Sequence, residues 1–277
     1  MKKIKLLIVL YKQTFSTSET LLSLKKVFSS IFLETTFELF LWDNSPQPQD
    51  SEMIDSFKRE CIGLSDVKYH HDASNKPLSY VYNSLLELCV DDDYLVILDQ
   101  DSIFNSDFIN ELISVIRNNK PELILPVINF KDTIVSPSII HYIKGSYFNN
   151  APYGYTEIKY LSAINSGMII SLDYIRRTGF RYHKDLMNYC TDDYFMREFR
   201  KKGLSVFVLN YRFEHDLSLS TLNDNSDSLK QRYQLMKQGR YIVYSDNIID
   251  WVAIRAYFLM HKVYLAIRYK DKDYLKV

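Results

Sequence analysis

The feature that most limits how this chain can fold is the alternation, over its first half, of short apolar runs with stretches of helical periodicity. The runs Ile4–Leu10, Phe37–Trp42, Val67–His70, Tyr94–Leu98 and Leu123–Val127 have the length of strands. Ile4–Leu10 is apolar apart from Lys5, in the manner of a parallel strand covered on both faces. Between the runs, Leu21, Leu22, Leu24, Val27 and Phe28 recur at helical spacing behind a capping candidate at Thr17 or Ser18. Helices are also expected over about residues 51–60, from Pro77 to Cys89, and over Asp107–Asn118. Strands and helices alternating at this spacing predict an α/β fold with a doubly wound, mostly parallel (mixed) sheet flanked by helices. Such sheets bind ligands just beyond the carboxyl ends of their strands. In this chain those ends carry Tyr11, Asp43-Asn44 and Asp99-Gln100-Asp101.

The second half is less regular. Residues 130–160 read as a loop-rich insertion; Ala163–Ile170 resumes a strand pattern around Asn165-Ser166-Gly167. Asp192–Lys202 reads as a helix, and Ser205–Leu209 and Tyr211–His215 as two further strands. The rest is helical and basic. Two units are therefore expected, an α/β domain over residues 1–222 and a C-terminal helical extension over 223–277.

Composition removes several classes of function. Lys+Arg and Asp+Glu both count 34, so no net field attracts nucleic acid. With 7 glycines and neither G-x-G-x-x-G nor G-x-x-x-x-G-K, a glycine cradle for phosphate is absent, leaving a metal or basic side chains for that task. Cys61, Cys89 and Cys190 are scattered without a C-x-x-C, which argues for a reducing compartment and against a zinc site. The N-terminal apolar run is too short for a signal sequence, and no run is long enough to span a bilayer. A cytoplasmic location is expected, peripheral on the inner face of the cell membrane being its alternative.

Asp99 and Asp101 stand two residues apart at the end of a buried strand, where both carboxylates can reach a hard divalent cation, Mg²⁺ or Mn²⁺. The same tripeptide also occurs as an exposed turn. Asp192 and Asp193 open a helix, where acids serve either as bases or as caps and dipole partners.

Taken in order, YLVILDQDS, IKLLIVLYKQ, LFLWDNSP, NKPLSYVYN, NSGMII and TDDYFMREFRKKG resemble segments of family 2 glycosyltransferases of the GT-A fold, in particular bacterial rhamnosyltransferase-like members. The resemblance spans about residues 3–215. It implies an inverting sugar transfer from a nucleoside diphosphate sugar, dTDP-rhamnose or next a UDP-sugar, to a hydroxyl of a glycan or lipid-linked acceptor in surface-polysaccharide synthesis. Tyr11, Asp43, Asn75 and Asp99 would then hold the donor nucleotide. Asp99, Asp101 and His215 would hold the metal. Asn165, Ser166 and Gly167 would meet the sugar or acceptor, and Asp192, with Asp193 as its competitor, would be the base. Pro77 and Val81 replace the Gly and Ala of the family's Asn-x-Gly-x-x-x-Ala-x-Asn pattern, which here runs from Asn75 to Asn83. Glu198 stands where the family's helix carries Arg, with Arg197 adjacent.

From Lys230 to Val277 there are ten Lys and Arg against four Asp, interleaved with aromatic and aliphatic residues. A helix of that kind can lie on an anionic membrane, pack on its own domain or join a second subunit. Two rival functions stay open at this stage: a nucleotidyltransferase, against which the glycine-free LYKQTFSTSE speaks, and an inactive sugar-nucleotide-binding or scaffold subunit.

Overall fold

The computed structural model describes residues 2–30, 35–214 and 226–276. The first half alternates as expected: β1 (Lys2–Leu10), α1 (Glu19–Val27), β2 (Thr35–Asp43), α2 (Ser51–Glu60), β3 (Leu64–His71), α3 (Leu78–Leu88), β4 (Tyr94–Leu98), α4 (Ser106–Asn118) and β5 (Leu123–Phe130). Short strands follow, β6 (Thr133–Ser136), β7 (Ser138–His141), β8 (Lys144–Tyr147), β9 (Gly154–Tyr155), β10 (Leu161–Ser162) and β11 (Met168–Ser171). The chain continues through α5 (Leu172–Thr178), α6 (Thr191–Lys202), β12 (Val206–Glu214), α7 (Ser226–Val243) and α8 (Ile248–Arg268).

Nine strands form the central sheet in the order β3-β2-β1-β4-β11-β5-β12-β9, with β6 beside β5. β1 pairs in parallel with β2 and β4, and β2 with β3. β11 runs antiparallel between β4 and β5, and β12 is again parallel to β5. The sheet is thus mixed and mostly parallel. Its two faces bury separate cores: Leu6, Ile8 and Leu10 pack with α1, α2 and α4 residues such as Leu24, Phe57 and Phe108, whereas Leu7 packs with Tyr82, Tyr174 and Phe195. Period-two alternation between two apolar layers explains why the β1 run is apolar at successive positions from Leu6 to Leu10. Lys5 interrupts it chemically and is buried, its ammonium bonded to Glu38 and 3.6 Å from Asp92.

Three expectations are corrected. Residues 130–160 are not a plain loop region: β7 and β8 pair with β10 in a separate three-stranded sheet, and β6 and β9 join the main one. The strand expected over Ala163–Ile170 contracts to β11, because residues before Met168 turn sharply around Gly167. The two late strands are a single β12 whose register with β5 shifts between Val208 and Arg212.

Beyond the main layers, α7 and α8 share a small core with the segment before α6, including Leu186, Cys190, Tyr233, Tyr244, Ile254 and Phe258. Arg197 of α6 pairs with Asp246 at 3.2 Å and also with Asp250, fastening the extension to the α/β layers. The expected boundary between residues 222 and 223 lies outside the described residues.

Candidate active site

The Asp99-Gln100-Asp101 segment leaves β4 at the sheet's carboxyl edge and is held there by the start of α1. Ser18, which caps α1 through Leu21 N, donates its hydroxyl to Gln100 O at 2.7 Å. Thr20 Oγ1 donates to Asp99 O and accepts from Ser102 N at 2.8 Å. Gln100 turns back to accept the Tyr11 N–H at 2.8 Å, tying the ends of β1 and β4 together. Two short hydroxyl side chains thus fix the backbone that presents both carboxylates.

In front of this edge lies a cavity of about 300 Å³ lined by Tyr11, Asn44, Asn75, Tyr82, Asp99, Asp101 and Asn188, among others. Four expected donor residues or their neighbours therefore meet. Asn75 sits at φ +52, a left-handed conformation Asn tolerates better than most residues. Asp43 behaves differently. It is fully buried, accepting from Ser45 N at 2.9 Å, Gln49 Nε2 at 3.0 Å and Tyr69 OH at 2.7 Å, and it does not line the cavity. Burial works to raise its pKa, but these three donors outweigh it and hold the carboxyl below its ordinary range. Asn44, next along, is the side chain of this turn that reaches the cavity wall.

A second cavity, about 320 Å³, shares Leu78, Tyr82, Asp99 and Asn188 with the first and adds Asn165, Asp192, Asp193 and Arg240. Ser166 donates its hydroxyl to Asp99 Oδ2, linking the two cavities through one carboxylate. Gly167 stands behind it at φ +71, where an added Cβ would fall 2.6 Å from the Phe213 ring and 2.8 Å from Pro126. Asn165 Nδ2 donates to Thr191 Oγ1 at 2.9 Å, while its Oδ1 is buried without a hydrogen-bond partner among the described residues. A third cavity, about 430 Å³, continues from Asp192, Asp193 and Arg240 along β7, β8 and β10.

The paired acids are not equivalent. Asp193 Oδ2 lies 2.8 Å from Arg240 Nε, and Asp193 N donates to Asp192 Oδ1 at 2.8 Å. Burial first, and then the Asp193 charge, push Asp192 well above the usual carboxylate range. A carboxylate with raised proton affinity is suited to accept a proton. Tyr82, between Asp99 and Asp192, is pushed far above the usual phenol range by burial and then by the Asp99 charge, so it stays neutral.

Asp99 and Asp101 are an oxygen donor set that suits Mg²⁺ or Mn²⁺, ions that commonly take one or two carboxylates and complete their shell with water and substrate phosphate. Among the described residues no cluster of three or more His, Cys, Asp or Glu gathers for a metal, and His215, the expected third ligand, lies outside them. Sequence reasoning missed Asn188, Tyr82 and Arg240. Arg240 in particular was one of ten bases in a helical tail, with only Gly239 beside it as a local hint of close packing. Arg197, adjacent to the expected helix cation, turns instead to Asp246 and Asp250.

The mixed sheet of this order places the chain among solved structures of like fold. The crystal structure of S. aureus TarS residues 1–349 superposes with a TM-score of 0.54 at 14% identity, covering 99% of this chain and 89% of that one. The same TarS piece in complex with UDP-GlcNAc gives 0.55 at 13% identity, over 92% of this chain and 69% of the other. GalNAc-T7 with UDP, GalNAc and Mn²⁺ gives 0.57 at 13% identity, over 77% and 44%. At such identities the likeness concerns the fold. The chain belongs to glycosyl transferase family 2, whose model matches residues 8–183. No curated protein sequence matches it.

Proposed function

We propose that the chain is an inverting, metal-dependent glycosyltransferase that moves one sugar from a nucleoside diphosphate sugar to a hydroxyl of a glycan or lipid-linked acceptor in bacterial surface-polysaccharide synthesis. One observation carries the reading: three adjoining cavities run from the Asp99–Asp101 edge to the Asp192–Asp193 pair, sharing residues at each junction. Donor and acceptor can thus meet between a diphosphate end and a base. The first cavity takes the nucleotide, with the half-exposed Tyr11 ring, Asn44 and Asn75 on its wall. Asp43 supports this wall from behind. Asp99 and Asp101 would hold Mg²⁺ or Mn²⁺, which when bound neutralises the charge of the departing diphosphate. Asn165, with an unpartnered acceptor oxygen, suits a sugar hydroxyl, and Ser166 and Gly167 shape the passage beside Asp99.

In the transfer, the acceptor oxygen attacks the anomeric carbon as the bond to the diphosphate breaks, and Asp192 receives the acceptor's proton. The raised proton affinity of Asp192 supports it over Asp193, which is already paired to Arg240. UDP-sugars are the first donors to try, since solved neighbours hold UDP and UDP-GlcNAc, with dTDP-rhamnose next. The extension meets an anionic membrane surface. No described helix is long and apolar enough to cross a bilayer, but α8 turns Ile249, Val252, Met260, Val263 and Ile267 outward while Ile254 and Phe258 point in. The sole acid of α8, Asp250, is buried against Arg197, leaving Arg255, Lys262 and Arg268 as its remaining charges.

Thermal-shift screening of UDP- and dTDP-sugars with Mn²⁺ should select a donor by a raised melting temperature. With that donor, Asp192→Asn should keep binding and lose transfer by about 100-fold or more. Undiminished transfer in that variant would remove Asp192 as base.

A further inference from the structure

The two acids at the head of α6 have the same chemistry and adjacent positions, yet a helix from the far end of the chain treats them differently. Arg240 belongs to α7. It is the only basic side chain on the walls of the three adjoining cavities, among the described residues. Its Nε reaches Asp193 Oδ2 at 2.8 Å, and both side chains are about four-fifths buried, at 22% and 17% exposure. Its Nη1 also points toward Ile143 O at 3.5 Å, so the guanidinium is anchored on the rim of the small sheet.

The approach is built into the sequence. At Gly239 an added Cβ would lie 3.0 Å from both Cys190 Sγ and Tyr189 O, so glycine lets α7 press closely on the turn that starts α6. The other cations near α6 are engaged elsewhere: Arg197 with Asp246 and Asp250, and Arg200 with Leu161 O at 2.7 Å.

Two neighbouring carboxylates that are largely shielded from water cannot both ionise cheaply unless a cation joins them. We propose that Arg240 is the positioning residue that divides the two roles, pinning Asp193 as an ionised brace and leaving Asp192 free and sufficiently ionised to take the acceptor's proton. The inference rests on the reading of Asp192 as base. It makes the C-terminal extension part of the acceptor half of the site. The groups facing Asp192 are Asp193 and Cys190 on its own turn, Arg240 from α7, Tyr82 from α3 and Tyr182 after α5, with Asp99 across the shared cavity. Burial keeps Tyr82, Tyr182 and Cys190 neutral, so Asp193 and Arg240 are the charges that decide.

The test is the pH profile of kcat/KM for the full chain, in which the acid limb reports the base of the free enzyme. Arg240→Met should move that limb upward by about one pH unit, so that lost activity returns at alkaline pH, and Arg240→Lys should restore the parent position. Asp193→Asn should move the limb downward, since Arg240 then acts on Asp192 alone. Donor binding, measured by thermal shift, should persist in all three, because Arg240 lies outside the donor cavity. An Arg240→Met profile lowered equally at every pH would reduce Arg240 to a packing residue and overturn the proposal. If that variant does not fold, Asp193→Asn decides: a downward limb supports the division of roles, and an unmoved limb or abolished turnover refutes it. Asp192→Asn separates the two readings. Retained turnover there refutes the base itself, whereas its loss beside an unmoved Arg240→Met limb refutes only the part given to Arg240.

Discussion

A residue's type told less about its role than its partners did. The family resemblance put Asp43 at the donor nucleotide, and in the structure its oxygens accept from Ser45, Gln49 and Tyr69. Since its folded pKa lies below the ordinary 3.8, it adds stability that is complete above that pH and is lost as pH falls through the lower, folded value. Asp43→Asn should therefore flatten the acid side of the stability curve below about pH 4, read by denaturant unfolding across pH. An acid limb unchanged from the parent would show that the Asp43 network contributes nothing. The place of Asp99 and Asp101 just beyond β4 was legible because a doublet at a strand end is local information. The different surroundings of Asp192 and Asp193 were not, because they depend on a guanidinium 47 positions away in the chain from Asp193.

At the level of elements, the strand–helix alternation was readable wherever one apolar run filled both faces of the sheet, and β4 fell on Tyr94–Leu98 as expected. It failed where pairing is short and antiparallel. β7, β8 and β10 have 2 to 4 residues each, too few to show a period. The Asn165-Ser166-Gly167 segment looked like strand because its neighbours are apolar, yet Gly167 at φ +71 makes it a turn that brings Ser166 to Asp99. Gly167→Ala should cost about 2 kcal/mol through backbone strain and the Phe213 and Pro126 contacts. It should weaken donor binding in the same variant, because Ser166 moves with it. A Gly167→Ala protein as stable and as donor-competent as the parent would show that the turn has no such part.

For the whole molecule, the extension was the part that sequence left most open, since a basic amphipathic helix serves a membrane, a partner or its own domain equally well. The structure divides the answer by face: α7 and the inner side of α8 pack on the α/β layers, while the outer side of α8 stays exposed. Flotation with anionic liposomes at low salt should capture the parent and release it as salt rises. A Met260→Glu/Val263→Glu double variant should stay unbound while keeping donor binding. Equal flotation of parent and variant would remove the membrane role of this stripe. The central claim is that Asp99 and Asp101 form the donor-diphosphate end of a sugar-transfer cleft, and the release of nucleoside diphosphate from the selected donor, followed against Mn²⁺ concentration, tests it most directly. Release should require the ion, cease with EDTA, and fall by about 100-fold or more in Asp101→Ala. Release that persists in EDTA, or that is the same in Asp101→Ala as in the parent, would contradict it.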